Sequence, residues 1–239
     1  MTAKKPPMGW NSWNTFGEHI NEKLIMEMAD QLVNDGYKDA GYEYVIIDDC
    51  WSLKERVDGK LVPDPKLFPS GMKALSDYIH SKGLKFGMYS CAGTKTCAGY
   101  PSSYGHEFED ARQFAEWGVD YLKYDFCNFP VSGDAKNAYL TMAMALRHTG
   151  REILFAACNW GKYDPSGWMR SRGAHTYRST IRISSNSRWK TSRATLPAAT
   201  MIWTCLSLAC TEKETSASAV AAMSSISSTL PCGHSLPPR

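Results

Sequence analysis

Two apolar runs of this chain each break off in carboxylates: Tyr44-Val-Ile-Ile-Asp48-Asp49-Cys50-Trp51 and Tyr121-Leu-Lys-Tyr-Asp125-Phe-Cys127-Asn128. Short runs rich in valine, isoleucine and tyrosine read as buried strands. An ionised aspartate has no structural use at the tip of such a strand, because desolvating an unpaired charge costs several kcal/mol or more. In parallel sheets and barrels, however, the strand C-termini are where active sites are built. Lys123 stands two residues before Asp125 and therefore on the same face of its strand. Carboxylates at two such ends point to an enzyme. Metal-dependent hydrolysis through Asp48 and Asp49 would need clustered histidines, but the six histidines are scattered and form no HExxH. No metal is expected.

Helical and extended patterns alternate around these two runs. Pro7 to Trp13 reads as a short extended segment, and Asn21 to Asn34 as a helix with Ile25, Met26, Met28, Ala29, Leu32 and Val33 on its apolar face. A strand over 42–48 follows, then a Pro/Gly-rich loop and a helix from Met72 to Lys82 that Gly83 stops. Leu84 to Ser90 reads as a strand, Glu107 to Trp117 as a helix, and the next strand ends at Asp125. A helix over Ala135 to His148, a strand over Ile153 to Cys158, a short helix around Gly167 to Arg172 and a strand over His175 to Thr180 complete the series. Repeated βα units of this length predict a parallel sheet, either a (β/α)8 barrel or a doubly wound sheet. No GxGxxG or GxxxxGK[ST] follows any strand, which counts against a nucleotide site.

Composition narrows the field. Hydrophobic content of 43% and charged content of 21% are those of a globular domain. A net charge of +3, with no basic stripe interleaved with aromatics, gives no case for nucleic acid. No run approaches the roughly 18 apolar residues of a membrane span, so no membrane partner is expected. Behind Met1-Thr-Ala-Lys-Lys-Pro-Pro7 lies no apolar stretch, which suggests a cytoplasmic or leaderless protein, or a secreted one with an incomplete N-terminus. The cysteines form no CxxC pair, and no cofactor is expected. Eight tryptophans and twelve tyrosines supply flat faces of the kind common in sugar sites, though most belong in a core.

Gathered at the predicted strand ends are Trp10, Trp13, Asp48, Asp49, Trp51, Tyr89, Lys123, Asp125, Cys158, Trp160 and Arg178. The blocks Met8-Gly-Trp-Asn-Ser-Trp13, Ile47-Asp-Asp-Cys-Trp51, Tyr121-Leu-Lys-Tyr-Asp125, Cys158-Asn-Trp-Gly161 and Tyr177-Arg-Ser-Thr180 resemble, in order, the alpha-galactosidases of glycoside hydrolase family 27. The likeness covers about residues 6–180. It implies a (β/α)8 catalytic barrel followed by a small antiparallel β domain, and a retaining mechanism on terminal α-linked galactose, with small galactosides or oligosaccharides as substrates. Retention uses two carboxyls about 5–5.5 Å apart. By this resemblance Asp125 matches the nucleophile and Lys123 a galactose-binding residue. Asp48 and Asp49 match the pair gripping the hydroxyls at carbons 4 and 6, and Trp13 the aromatic floor. Cys158 and Trp160 face the 2-hydroxyl, where a bulkier acetamido group would call for smaller residues, and Tyr89 and Arg178 complete the implied sugar contacts. A β-L-arabinopyranoside, lacking only the carbon-6 hydroxymethyl, is a related specificity. Cys97 and Cys127 match a family disulfide, whereas Cys50 lacks its usual partner, so free thiols are expected at Cys50 and Cys91. From the residues alone, Trp10 and Trp51 suit a core, and Asp48-Asp49 could be one exposed and one helix-capping aspartate.

The pattern breaks after Thr180. The family continues with Gly-Asp-Ile, whose aspartate is the acid/base, but here Ile181-Arg182-Ile183 follows. Arginine, with a pKa above about 12, cannot donate and recover a proton near neutral pH. Residues 216–229 are nearly all serine, alanine and small aliphatics. Read back into codons, Thr200-Met-Ile-Trp-Thr-Cys205 forces, one base out of frame, Asp, then Met or Leu, then Asp; flanking codons permit the family's next blocks in order. Residues 1–180 therefore read as the N-terminal part of a (β/α)8 barrel domain with about six βα units. Residues 181–239 read as a non-native or disordered tail, translated out of frame in a truncated chain. The alternative function is an inactive remnant that at most binds galactosides. An open sheet is expected, with bare edges at 8–13 and 175–180 and no regular strand beyond 180 to fill the gap.

Overall fold

The computed structural model describes residues 7–169, 171–177 and 201–203, all within one compact unit, Met1–Leu206. Its strands are β1 (Met8–Asn11), β2 (Tyr44–Ile46), β3 (Lys85–Cys91), β4 (Tyr121–Asp125), β5 (Leu154–Ala157), β6 (Thr176–Tyr177) and β7 (Met201–Trp203). They form one sheet in the order β6-β5-β4-β3-β2-β1-β7. From β1 to β6 every strand pairs in parallel with its successor in sequence. A doubly wound sheet reverses its order at a switch point, and this one never does. Crossovers of one hand then bring every helix to the same side of the sheet. The structure is therefore an arc of a (β/α) barrel, incomplete among the described residues, and the doubly wound alternative is set aside.

The connecting helices are α1 (Trp13–Phe16), α2 (Glu22–Asn34), α3 (Gly71–Ser81), α4 (Glu107–Glu116) and α5 (Ala135–His148). Two begin at side-chain caps that satisfy otherwise unpaired N–H groups. Asn21 Oδ1 accepts from the Leu24 N–H at 2.9 Å, and Asp134 Oδ1 accepts from Lys136 and Asn137 at 2.9 and 3.2 Å. Helix α2 buries Ile25, Met28, Ala29 and Leu32, the spacing of a single helical stripe.

Alternation along the strands divides the sheet into two unlike faces. Trp10, Val45, Ile47, Phe86, Met88, Leu122, Tyr124, Phe155 and Ala157 join the helices in the main core. The other face carries a smaller apolar layer of Tyr44, Ile46, Tyr121 and Ala156. Room for it comes from Gly87, where an added Cβ would lie 2.5 Å from Ile46 Cγ1. Along the same rows toward the strand C-termini, the register puts Tyr89 beside Lys123 and Cys91 beside Asp125. The inner face thus turns from apolar to polar where the strands end.

Ion pairs brace this frame. Arg56, in the loop after β2, meets the buried Asp110 of α4 through two bonds of 2.8 and 2.6 Å and also donates to Ser102 O at 2.7 Å. Removing one partner of such a pair leaves the other charge uncompensated. Arg56→Ala is expected to destabilise the fold by about 3–5 kcal/mol, read as a lowered midpoint in urea denaturation. A variant within 1 kcal/mol (about one hydrogen bond) would mean that the pair carries little.

Several sequence expectations need correction. The short helix around Gly167 to Arg172 is a 3-10 turn at Pro165–Gly167. The left-handed Asp164 (φ +45°) precedes it, and turns lead from it to the left-handed Gly173 (φ +92°). Trp13 opens α1 instead of extending β1. The edge of β1 is not bare: β7 pairs with it antiparallel, Trp10 opposite Met201 and Met8 opposite Trp203. Unpaired edge groups invite a β-prone partner, and Met-Ile-Trp supplies one. A closing barrel strand would run parallel, so this three-residue strand covers the edge without completing the barrel. The rest of 181–239, and with it the expected tail, lies outside the described residues.

Candidate active site

Asp48 and Asp49 follow β2 and are each 1% exposed. Neither caps a helix and neither is solvated, so the alternative of one exposed and one capping aspartate does not hold. Asp48 Oδ2 accepts from Asn11 Nδ2 at 2.7 Å and from Lys123 Nζ at 2.8 Å. Its own N–H donates to Ser12 Oγ at 3.0 Å, and Oδ1 accepts the Asp49 N–H at 3.1 Å. Asp49 uses Oδ1 for the Cys50 N–H at 2.8 Å and Oδ2 for the Ala98 N–H at 2.9 Å. Burial pushes the Asp49 carboxyl above its ordinary value, against the pull of Ala98, Thr96 and Cys50.

Lys123 and Asp125 share the inner face of β4. The ammonium lies 2.8 Å from Asp48 and 3.7 Å from Asp125 Oδ2. Burial alone would depress this lysine, but Asp48, Cys158 and Asp125 outweigh it and hold the group above its usual value. Asp125, 4% exposed, accepts at Oδ1 from the Phe126 N–H and from Trp160 Nε1, both at 2.9 Å. Tyr89 is buried beside them, with Lys123 Nζ 4.9 Å from its ring centroid. Burial, then Asp125, raises its phenol far above the usual range. Asp120, at the opposite end of β4, is by contrast tied to Arg151 at 2.6 Å and His80 at 2.7 Å. Its pairing is that of a brace, while Asp125 keeps an oxygen facing a cation 3.7 Å away.

Cys97 and Cys127 form the disulfide that the sequence resemblance implied, with Cα atoms 5.0 Å apart. Their sulfurs and an Asp125 oxygen lie within 4.8 Å of one another, but sulfurs bonded to each other are no thiolates and offer no metal site. Cys50 and Cys91 are buried free thiols, and Cys158 is buried as well. Burial pushes the Cys50 thiol up to about 11 and Cys91 to about 12, so both are chemically quiet. Trp10 and Trp51 belong to the core.

Of the residues expected in the site, the structure brings Asp48, Asp49, Tyr89, Lys123, Asp125 and Trp160 together through the contacts above. Trp13, 36% exposed, joins them through Asn11, whose Oδ1 accepts the Trp13 N–H at 3.0 Å. Cys158 directly follows β5, close enough to Lys123 to raise it. Arg178 lies outside the described residues, as does Arg182. The sequence reading missed Asn11 and Ser12, which hold Asp48, and Asn159, buried between Cys158 and Trp160 with Oδ1 unpaired. The signal was present: three polar side chains inside otherwise apolar blocks.

A sequentially wound parallel sheet, with Lys123 and three aspartates gathered at its strand ends, is the site-bearing arc of a barrel enzyme. The sequence profile described as Alpha galactosidase A (Melibiase_2) matches residues 5–191, and the chain belongs to that family. Alpha-galactosidase A of Cellvibrio japonicus is 53% identical over 178 residues, spanning 74% of this chain and 44% of that protein. The alpha-galactosidase of Coffea arabica is 51% identical over 191 residues, 79% of this chain and 50% of the relative. Among solved structures, alpha-galactosidase I of Mortierella vinacea superposes with a TM-score of 0.69 at 46% identity, covering 72% of this chain and 44% of that one. The chain thus spans half the length or less of these relatives.

Proposed function

We propose that this chain carries the galactose-binding and nucleophilic half of a retaining alpha-galactosidase active site. The observation that carries the proposal is Lys123, seated between Asp48 at 2.8 Å and Asp125 at 3.7 Å. A single buried cation between two carboxylates, one just after β2 and one at the end of β4, suits a polyhydroxylated ring, whose hydroxyls both donate and accept. In this reading Asp48 and Asp49 accept the hydroxyls at carbons 4 and 6, and Trp13 provides the apolar floor. Cys158 and Trp160 border the 2-hydroxyl, and Arg178 contributes a further sugar contact. Asp125 attacks the anomeric carbon and the glycosidic C–O bond breaks, the aglycone leaving with a proton from a second carboxyl; that carboxylate then takes a proton from the water that hydrolyses the glycosyl ester and frees Asp125. Substrates are terminal α-galactosides, as free oligosaccharides or small glycosides. The Cys97–Cys127 disulfide favours work in an oxidising compartment over the cytoplasm.

Arg182 favours a second reading of the molecule as it stands. Where the acid/base aspartate is expected, the chain has Ile181-Arg182-Ile183, and it then binds galactosides without turning them over. Release of 4-nitrophenol from 4-nitrophenyl α-galactoside, by this chain and by a frame-restored version, decides between the two. Failure of the restored version to cleave the α-anomer would sink the first reading.

A further inference from the structure

Asp49 owes its geometry to a segment 49 residues away, because the Ala98 N–H reaches its Oδ2 at 2.9 Å, and the Thr96 side chain of the same segment also favours its charged form. That segment follows β3 and has no regular structure of its own. The Cys97–Cys127 bond tethers it at one point, and a turn of its own closes it, the Thr96 N–H donating to Tyr100 O at 2.9 Å and the Gly99 N–H to Thr96 O at 3.0 Å. Asn128 ties this turn to the chain that follows β4. Its side-chain Nδ2 donates to Thr96 O at 2.9 Å and to Lys95 O at 3.3 Å. Its backbone carbonyl accepts the Thr94 N–H at 3.1 Å and the Thr94 hydroxyl at 3.3 Å. Asn128 adopts φ +53°, a conformation that asparagine tolerates better than most residues. Close approach is secured by Gly93, where a Cβ would lie 2.5 Å from the Asn128 carbonyl carbon. One exposed asparagine thus holds the arm, Thr94 to Thr96, that leads into the turn presenting Ala98.

We propose that Asn128 is a positioning residue for substrate binding: it orients the 94–98 segment so that Ala98 and Thr96 hold the Asp49 carboxylate in place to receive sugar hydroxyls. This rests on the galactoside reading for its ligand but not for its geometry. Asp49 is faced by Asp48 and Cys50 beside it and by Tyr89 and Cys91 on β3. The Lys123–Asp125 pair on β4 stands beyond Asp48. Against that mostly anionic and apolar surrounding, the groups that favour the charged form are the neighbouring Cys50 N–H and, from the segment, the Ala98 and Thr96 donors. Freeing the segment withdraws them, so the Asp49 carboxyl rises further. Protonated Asp49 donates where it should accept, and galactose affinity is lost first on the acid side.

The test uses the full chain and two variants. Asn128→Gly keeps the left-handed turn but removes both donors, and Asn128→Asp keeps the shape but turns a donor into an acceptor facing carbonyls. Carbon-13 NMR of the Asp49 carboxyl should show its titration midpoint moved up by on the order of one pH unit. The Ala98 amide should exchange with solvent faster, while amides in β3 and β4 keep their protection. Galactose titrated calorimetrically should bind roughly tenfold more weakly, with the loss greatest at low pH. A folded variant with an unchanged Asp49 midpoint and unchanged Ala98 exchange overturns the proposal. So does failure of both variants to fold, which would make Asn128 a residue of the fold instead of the site. If the parent chain binds no galactose while the midpoint still moves, the positioning role stands and the galactoside reading falls.

Discussion

Asp125→Asn in a frame-restored version is expected to abolish hydrolysis of α-galactosides while leaving galactose bound. The amide has the shape of the carboxylate and can still accept the Trp160 indole N–H, which reaches Oδ1 at 2.9 Å. It cannot form the ester to the anomeric carbon, so the two-step displacement loses its first step. A fall in kcat of several orders of magnitude is expected, with the galactose dissociation constant changed by less than about tenfold. The measurement is single-turnover release of 4-nitrophenol together with calorimetric binding of galactose. Near-parental turnover would move the nucleophile to another residue. Loss of galactose binding alongside turnover would instead give Asp125 a structural part. The second outcome is disfavoured by the way the Cys97–Cys127 bond, the core around Tyr124 and the β3–β4 ladder hold the strand end without it.

Much of this was legible in the sequence because it follows from local periodicity. Helices α2, α4 and α5 fall within a residue or so of where their apolar stripes and caps put them. The Lys123–Asp125 spacing alone was enough to aim both side chains at one face. The order of the strands was not legible, since alternating βα units suit barrels and doubly wound sheets alike. The register shown by β1 through β6 decides it. Illegible too were the residues that act only through distant partners. Asn11 reaches Asp48 across 37 positions, and Asn128 reaches Thr96 across 32. Neither separation leaves a periodic trace. The pairing of β7 with β1 escaped for a different reason: Met-Ile-Trp is too short to carry a pattern, and tertiary context decides its conformation.

Restoring the frame between Thr180 and about Thr195 should raise turnover of 4-nitrophenyl α-galactoside by at least two to four orders of magnitude, roughly the contribution of a general acid–base group. Departure of the leaving group needs a proton delivered to the glycosidic oxygen, and deglycosylation needs one withdrawn from water. Arg182 can do neither near neutral pH, its pKa lying above about 12. A single Arg182→Asp change should recover little, because the resemblance that places the acid/base there also requires the strands that follow. Only β7 is described beyond residue 177, and it pairs antiparallel to β1 where a barrel strand would run parallel. The restored version should therefore gain in fold as well as in chemistry. Its urea transition should be steeper than that of the chain as it stands, since more apolar surface is exposed on unfolding. Equal turnover and equally cooperative unfolding in the two would show that residues 181–239 complete the enzyme in their present frame. Residues 181–239 would then be a genuine part of this member of the family.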